Sequence, residues 1–154
     1  MKFVVDAMFG RLARWLRMSG YDTIYDIDLK DGRLVAIAEK EDRVVVTRDK
    51  EVYSRATKEG LKATFISSLD FLEQLKQMAD EHGVIFRGTP ELSRCPRCNE
   101  ELFRVDKKDI KAKLPERVGE EYDEFWVCQG CGKVYWHGGH WKNIKETAEK
   151  LRRQ

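Results

Sequence analysis

Over the first ninety residues, short apolar runs alternate with stretches in which apolar side chains recur every three to four positions. Phe3-Val4-Val5 is a β-branched run ended by Asp6. Over residues 8–19, Met8, Leu12, Trp15 and Leu16 recur at helical spacing before Gly20 stops the helix. Thr23-Ile24-Tyr25 forms a second strand, and residues 32–41, with Leu34, Ile37 and Ala38 on one face, form a second helix. Arg43-Val44-Val45-Val46-Thr47 is the clearest buried strand, followed by Asp49 and a third helix over 50–59 that Gly60 closes. Ala63-Thr64-Phe65-Ile66 is a fourth strand; Ser67, Ser68 and Asp70 then open a fourth helix with Phe71, Leu72, Leu75 and Met78 inward. Alternating strand and helix units imply an α/β fold, a parallel sheet sandwiched by helices.

Beyond Pro90 the pattern changes. Cys95-Pro96-Arg97-Cys98 and Cys128-Gln129-Gly130-Cys131 are two C-x-x-C knuckles that together use all four cysteines of the chain. Each aims two sulfurs at one tetrahedral ion, so Cys95, Cys98, Cys128 and Cys131 predict a single structural zinc site with no open position. A redox pair would occur once, at a helix start, and disulfides are disfavoured in a cytosolic chain. Leu102, Phe103 and Val105 before, and Phe125, Trp126 and Val127 after, form the hairpin arms of a small zinc ribbon. The expected organisation is an α/β domain over residues 1–90 and a zinc ribbon with a basic aromatic tail over 91–154.

Composition, 42% hydrophobic and 36% charged with three prolines, is that of a folded chain and not a disordered one. No apolar stretch approaches the ~18 residues of a membrane helix, so no membrane partner is expected and the cytoplasm is the expected location. Residues 1–90 carry 15 basic and 15 acidic side chains, so the formal +2 arises entirely beyond them. Four thiolates and one Zn²⁺ bring the total to about zero. Global charge therefore says nothing for nucleic acid, and any such case rests on local patches.

In a parallel sheet the carboxyl ends of the strands share one edge, where ligands bind. Acids follow every strand: Asp6, then Asp26, Asp28 and Asp31, then Asp49, then Asp70. Asp70 suits helix capping, and Asp26 and Asp28 suit turns. Asp6 and Asp49 directly follow apolar strands with no evident structural need. Carboxylates gathered from separate strands repel unless a cation sits among them, and their hard oxygens suit Mg²⁺ or Mn²⁺. Such an ion supports hydrolysis of a phosphodiester. Arg11, Arg14 and Arg17 recur at i, i+3 and i+6 beside the Asp6 edge, either to hold phosphates or as a solvent-facing stripe. The run from Tyr135 to Lys142, with Trp136, His137, His140 and Trp141, offers stacking surfaces for single-stranded nucleic acid, or cements the ribbon to the main domain.

The opening Val5-Asp6-Ala7-Met8-Phe9-Gly10-Arg11-Leu12-Ala13-Arg14-Trp15-Leu16-Arg17, the Thr47-Arg48-Asp49 triplet, and the two knuckles followed by Tyr135-Trp136 and His140 resemble one family. It is the PIN-superfamily ribonuclease domain with a C-terminal zinc ribbon, named for the C-terminal region of the mutator-seven exonuclease. The resemblance spans essentially the whole chain and implies a metal-dependent ribonuclease that acts on RNA. By position, Asp6 matches the acid after the first strand and Asp49 the Asp of the Thr-x-Asp motif. The intermediate acid falls on Asp31, with Asp28 its neighbour, and the fourth acid of many PIN domains has no clear match. Asp6, Asp31 and Asp49 are thus expected to hold Mg²⁺ or Mn²⁺, with Arg11, Arg14, Trp136 and His140 on the RNA; PIN domains also often pair as homodimers. Two other classes stand beside this. An RNA- or ribosome-binding adaptor would keep the acids as vestiges. A phosphotransfer domain would need a lysine after a fifth strand and a doubled acid after the first, and both are missing.

Overall fold

The computed structural model describes residues 1–154. Its first half runs β1 (Lys2–Val5), α1 (Gly10–Met18), β2 (Asp22–Ile24), α2 (Asp31–Glu41), β3 (Val44–Thr47), α3 (Lys50–Lys58), β4 (Ala63–Phe65) and α4 (Phe71–His82). All four strands are parallel, in the order β2-β1-β3-β4. The expected parallel sheet flanked by helices is therefore present. Central strands β1 and β3 are covered on both faces, which is why they read as unbroken valine runs and not as an alternation. Val4 and Val45 pack with Leu34, Val35 and Ala38 of α2 and with Val52 and Ala56 of α3. Phe3, Val5, Val44 and Val46 point the other way, into a cluster with α1 and α4. No helix is long and apolar enough to cross a membrane.

The second half comprises β5 (Leu102–Val105), α5 (Lys107–Ile110), α6 (Glu116–Glu121), β6 (Phe125–Cys128), β7 (Val134–Tyr135) and α7 (Gly139–Arg153). The strands form an antiparallel sheet β5-β6-β7 beside the cysteines. One apolar cluster runs without a break from Phe3 and Leu16 through Cys95, Leu102 and Trp126 to Trp141 and Ile144.

Three local features differ from the sequence reading. Asp6 first caps a 3₁₀ turn, Ala7–Phe9, before α1 begins. That tighter turn moves the inward register by one, so Phe9 is buried and Met8 lies 66% exposed. Residues 139–153, read as an aromatic tail, are the longest helix; Trp141, Ile144 and Ala148 form its buried face. Trp141 sits in the apolar cluster that both halves share, edge-on to Tyr135 and donating from Nε1 to Ser93 Oγ (3.3 Å). Finally, Arg17 belongs to no exposed stripe: it is 6% exposed.

Arg17 joins the two halves. Its Nε donates to the Thr23 carbonyl (2.9 Å) and its Nη1 to the carbonyl of Pro96 (2.9 Å), inside the first knuckle. Asn99, just past that knuckle, accepts from the Thr23 amide (2.9 Å) and donates to Asp22 (2.8 Å). Asp22 in turn pairs with buried Arg43 at 2.7 Å. The chain crosses here so closely that a Cβ on Gly20 (φ +93°) would lie 2.6 Å from the Leu92 carbonyl oxygen.

Replacing Arg17 by Met keeps the stem but strands buried carbonyls, each costing desolvation without a partner. Arg17→Met is expected to lower unfolding free energy by about 3 kcal/mol. Urea denaturation checks this against exposed Arg14→Met, expected within about 0.5 kcal/mol of the parent.

Candidate active edge and metal centre

The two knuckles fold alike. In the first, Cys95 N donates to Glu100 O (2.7 Å) and Asn99 N to Cys95 O (2.8 Å). In the second, Cys128 N donates to Lys133 O (2.9 Å) and Gly132 N to Cys128 O (2.8 Å). Each turn needs a left-handed residue, supplied by Asn99 (φ 73°) and Gly132 (φ 75°). Asn rather than Gly stands at the first because its side chain also docks on β2. The four sulfurs all lie within 4.8 Å of one another, with Cys95 and Cys128 buried, Cys98 and Cys131 exposed. Four soft donors at that spacing are positioned to bind one metal ion and are consistent with structural zinc.

Electrostatics separate the thiols. Burial pushes Cys128 up to about 12. Cys95, although burial opposes ionisation, is lowered to about 7 by the Tyr135 hydroxyl, 3.0 Å away, and by backbone amides. Buried Arg17 adds a positive charge that both Cys95 and Cys98 feel.

At the opposite end of α1 lies the acid edge. In a sheet ordered β2-β1-β3-β4 the crossover from β1 leads one way and that from β3 the other, so a crevice opens beyond their carboxyl ends. Asp6 follows β1, and its amide donates to Val46 O of β3 (2.9 Å). Thr47 ends β3; its hydroxyl donates to Asp6 Oδ2 (2.9 Å) and accepts from the Asp49 amide (3.0 Å). One threonine thus bridges the two acids. Both acids do have structural work, which the sequence did not reveal. Asp6 Oδ1 accepts from the Met8 amide, and Asp49 Oδ1 caps α3 through Glu51 N (2.8 Å) and Val52 N (3.2 Å). Asp49 Oδ2 accepts no hydrogen bond from the protein.

The remaining acids are more peripheral. Asp28 is exposed in the turn after β2, its amide donating to Asp26 Oδ1 (2.9 Å). Asp31 is exposed in the first turn of α2, and Asp70 caps α4 through Glu73 N (2.9 Å). Asp6, Asp28, Asp31 and Asp49 do not close a cluster of three donors around one point; only the cysteines do. Arg11, Arg14 and His140 line one cleft of about 480 Å³ between α1 and the ribbon. Half-buried Trp136 packs against Tyr122 and Phe125 and lines the adjoining hollow with His140. Arg97, inside the first knuckle, and Lys133, two residues beyond Cys131, share the cleft.

The family model described as the Mut7-C RNAse domain matches residues 1–148, and the chain belongs to that family. No curated protein and no solved structure matches it.

Metal uptake must displace the thiol protons, above all that of Cys128, so affinity is expected to rise with pH. One zinc per chain is expected by elemental analysis, with chelator competition showing tighter binding at pH 8 than at pH 6. Cys128→Ser is expected to lose the metal and to lower the melting temperature of the chain, read by circular dichroism.

Proposed function

We propose that this member of the Mut7-C RNAse domain family is a PIN-type, divalent-metal-dependent ribonuclease that hydrolyses phosphodiester bonds of single-stranded RNA. The observation that carries this reading is the pair Asp6 and Asp49, bridged by Thr47 at the crevice between β1 and β3. Mg²⁺ is commonly held by one or two carboxylates plus substrate phosphates, so two protein acids suffice where three do not converge. Asp6 and Asp49 would hold the ion, and Asp31, or its neighbour Asp28, would complete the set through its exposed carboxylate. When bound, Mg²⁺ or Mn²⁺ supplies activation of water and neutralisation of the phosphate. Thr47 fixes the rotamer of Asp6 by donating to Oδ2, leaving the other lone pairs of that carboxylate for a cation. The amides of Glu51 and Val52 hold Asp49 at Oδ1 and leave Oδ2 available. Arg11 and Arg14 offer guanidinium groups to the backbone of the strand, one turn apart on α1. The overall reaction adds water across the phosphodiester, so the P–O bond to the leaving oxygen breaks and that oxygen takes a proton.

A second reading, an RNA-binding adaptor with idle acids, draws on the capping roles of Asp6, Asp49 and Asp70.

Because Asn caps helices as well as Asp, Asp49→Asn preserves the α3 start while removing the charge. Cleavage of labelled single-stranded RNA with Mn²⁺ or Mg²⁺ is expected to fall by about 100-fold or more in Asp49→Asn. Thr47→Val, which matches its valine neighbours in β3, is expected to raise the Mg²⁺ or Mn²⁺ concentration needed for half-maximal cleavage about 10- to 100-fold. Undiminished cleavage in Asp49→Asn overturns the nuclease assignment, and binding without any cleavage favours the adaptor.

A further inference from the structure

We propose that the cleft between α1 and the two cysteine knuckles is a track for the phosphate backbone of single-stranded RNA, with Arg11, Arg14, Arg97 and Lys133 each facing a phosphate. The choice of RNA rests on the ribonuclease reading; the charge argument stands on the structure. The polar lining of this 480 Å³ cleft is Arg11, Arg14, Arg97, Lys133, His140 and Asn143, without one carboxylate. In a chain whose formal charge is only +2, that is a strong local concentration.

The pairing pattern sharpens it. Three exposed arginines elsewhere are paired with acids, Arg55 with Glu59, Arg104 with Glu124 and Arg117 with Glu121, while the scattered Arg33, Arg87, Arg152 and Arg153 make no salt bridge. None of the four cleft cations takes part in a salt bridge. Two of them are held by aromatic faces instead, Arg11 over Phe71 at 3.9 Å and Lys133 over Tyr135 at 5.5 Å. A cation steadied by a ring keeps its charge available while losing side-chain freedom in advance of binding.

Position connects the cleft to the acids. The chain passes from Asp6 through one turn into α1, so Arg11 and Arg14 lead away from the acid edge at about 1.5 Å per residue. At the far end of the helix, Arg97 lies within the first knuckle and Lys133 two residues beyond Cys131. Trp15, Tyr135 and Trp141, at the base, are each under a tenth exposed, so they offer little ring face for stacking. The track therefore reads backbone charge and not base identity. Its volume lies within the roughly 300–1,000 Å³ of ligand clefts.

The test uses the full chain carrying Asp49→Asn, without added Mg²⁺ or Mn²⁺, so that binding is read apart from cleavage. Anisotropy of a labelled 12-nucleotide single-stranded RNA is followed across salt concentrations. Adding Arg97→Ala and Lys133→Ala together is expected to flatten the plot of log affinity against log salt by about 1.4, and to weaken binding about 25-fold at 0.1 M. The control pair Lys40→Ala and Lys58→Ala, on exposed faces of α2 and α3, removes the same charge and is expected to change affinity less than about twofold. In the cleaving protein the cleft pair should raise KM and leave kcat unchanged. A cleft pair that matches the control, or a duplex that competes as well as the single strand, overturns the track. Absence of cleavage in the parent would sink the nuclease reading alone and leave the binding result to stand by itself.

Discussion

The buried guanidinium of Arg17 ties the two halves of this molecule together at the point where α1, β2 and the first knuckle meet. It leaves α1, crosses a buried gap and satisfies carbonyls on both β2 and the first knuckle. A buried cation is costly unless its donors are met and opposite charge lies near, and here both conditions hold. The carbonyls of Thr23 and Pro96 accept its hydrogen bonds, and the Cys95 and Cys98 sulfurs and Asp22 supply the field. Four thiolates around one zinc would carry a net charge of −2, which the neighbouring arginine would partly offset on the buried side of the cluster. The cysteine cluster and the parallel sheet are thereby linked through one buried cation, although they lie in different halves of the chain.

From that anchoring point, α1 works as a strut with a different task at each end. Its start is set by Asp6 and the 3₁₀ turn, at the crevice where the strand order reverses. Its end is set by Ser19, Gly20 and the close passage of Leu92. Arg11 and Arg14 lie between, on the face that the ribbon leaves open. A helix clamped at both termini presents such side chains with little positional freedom, which is the property that a site assembled from two modules requires.

Much of this was legible in the residues. Val44-Val45-Val46 and Phe3-Val4-Val5 could only be strands covered on both faces, and the acids after them could only lie at one edge. The cysteine spacing declared its own geometry. What stayed hidden was set by partners distant in sequence. Arg17 looked like its neighbours Arg11 and Arg14 because helical periodicity does not tell which face a later segment will cover. The helix over residues 139–153 is masked by Gly138-Gly139 and by aromatic residues equally suited to stacking, although Trp141, Ile144 and Ala148 have helical spacing. Asp6 and Asp49 were placed correctly at strand ends, but their capping bonds and the Thr47 bridge need φ, ψ and the pairing of β1 with β3, which no local pattern encodes.

The unbroken apolar cluster also has a meaning in time. A ribosome releases β1 to α4 well before it releases α7, whose Trp141 and Ile144 close over that side of the core. At about 5–20 residues per second, the interval between the two lasts roughly 3–13 s. During it, the faces of Phe3, Leu16 and Leu75 lack their full cover, and the nascent chain is exposed to whatever binds apolar surface in the cell. The ribbon that helps to cover this core is thus made after the sheet that needs the cover.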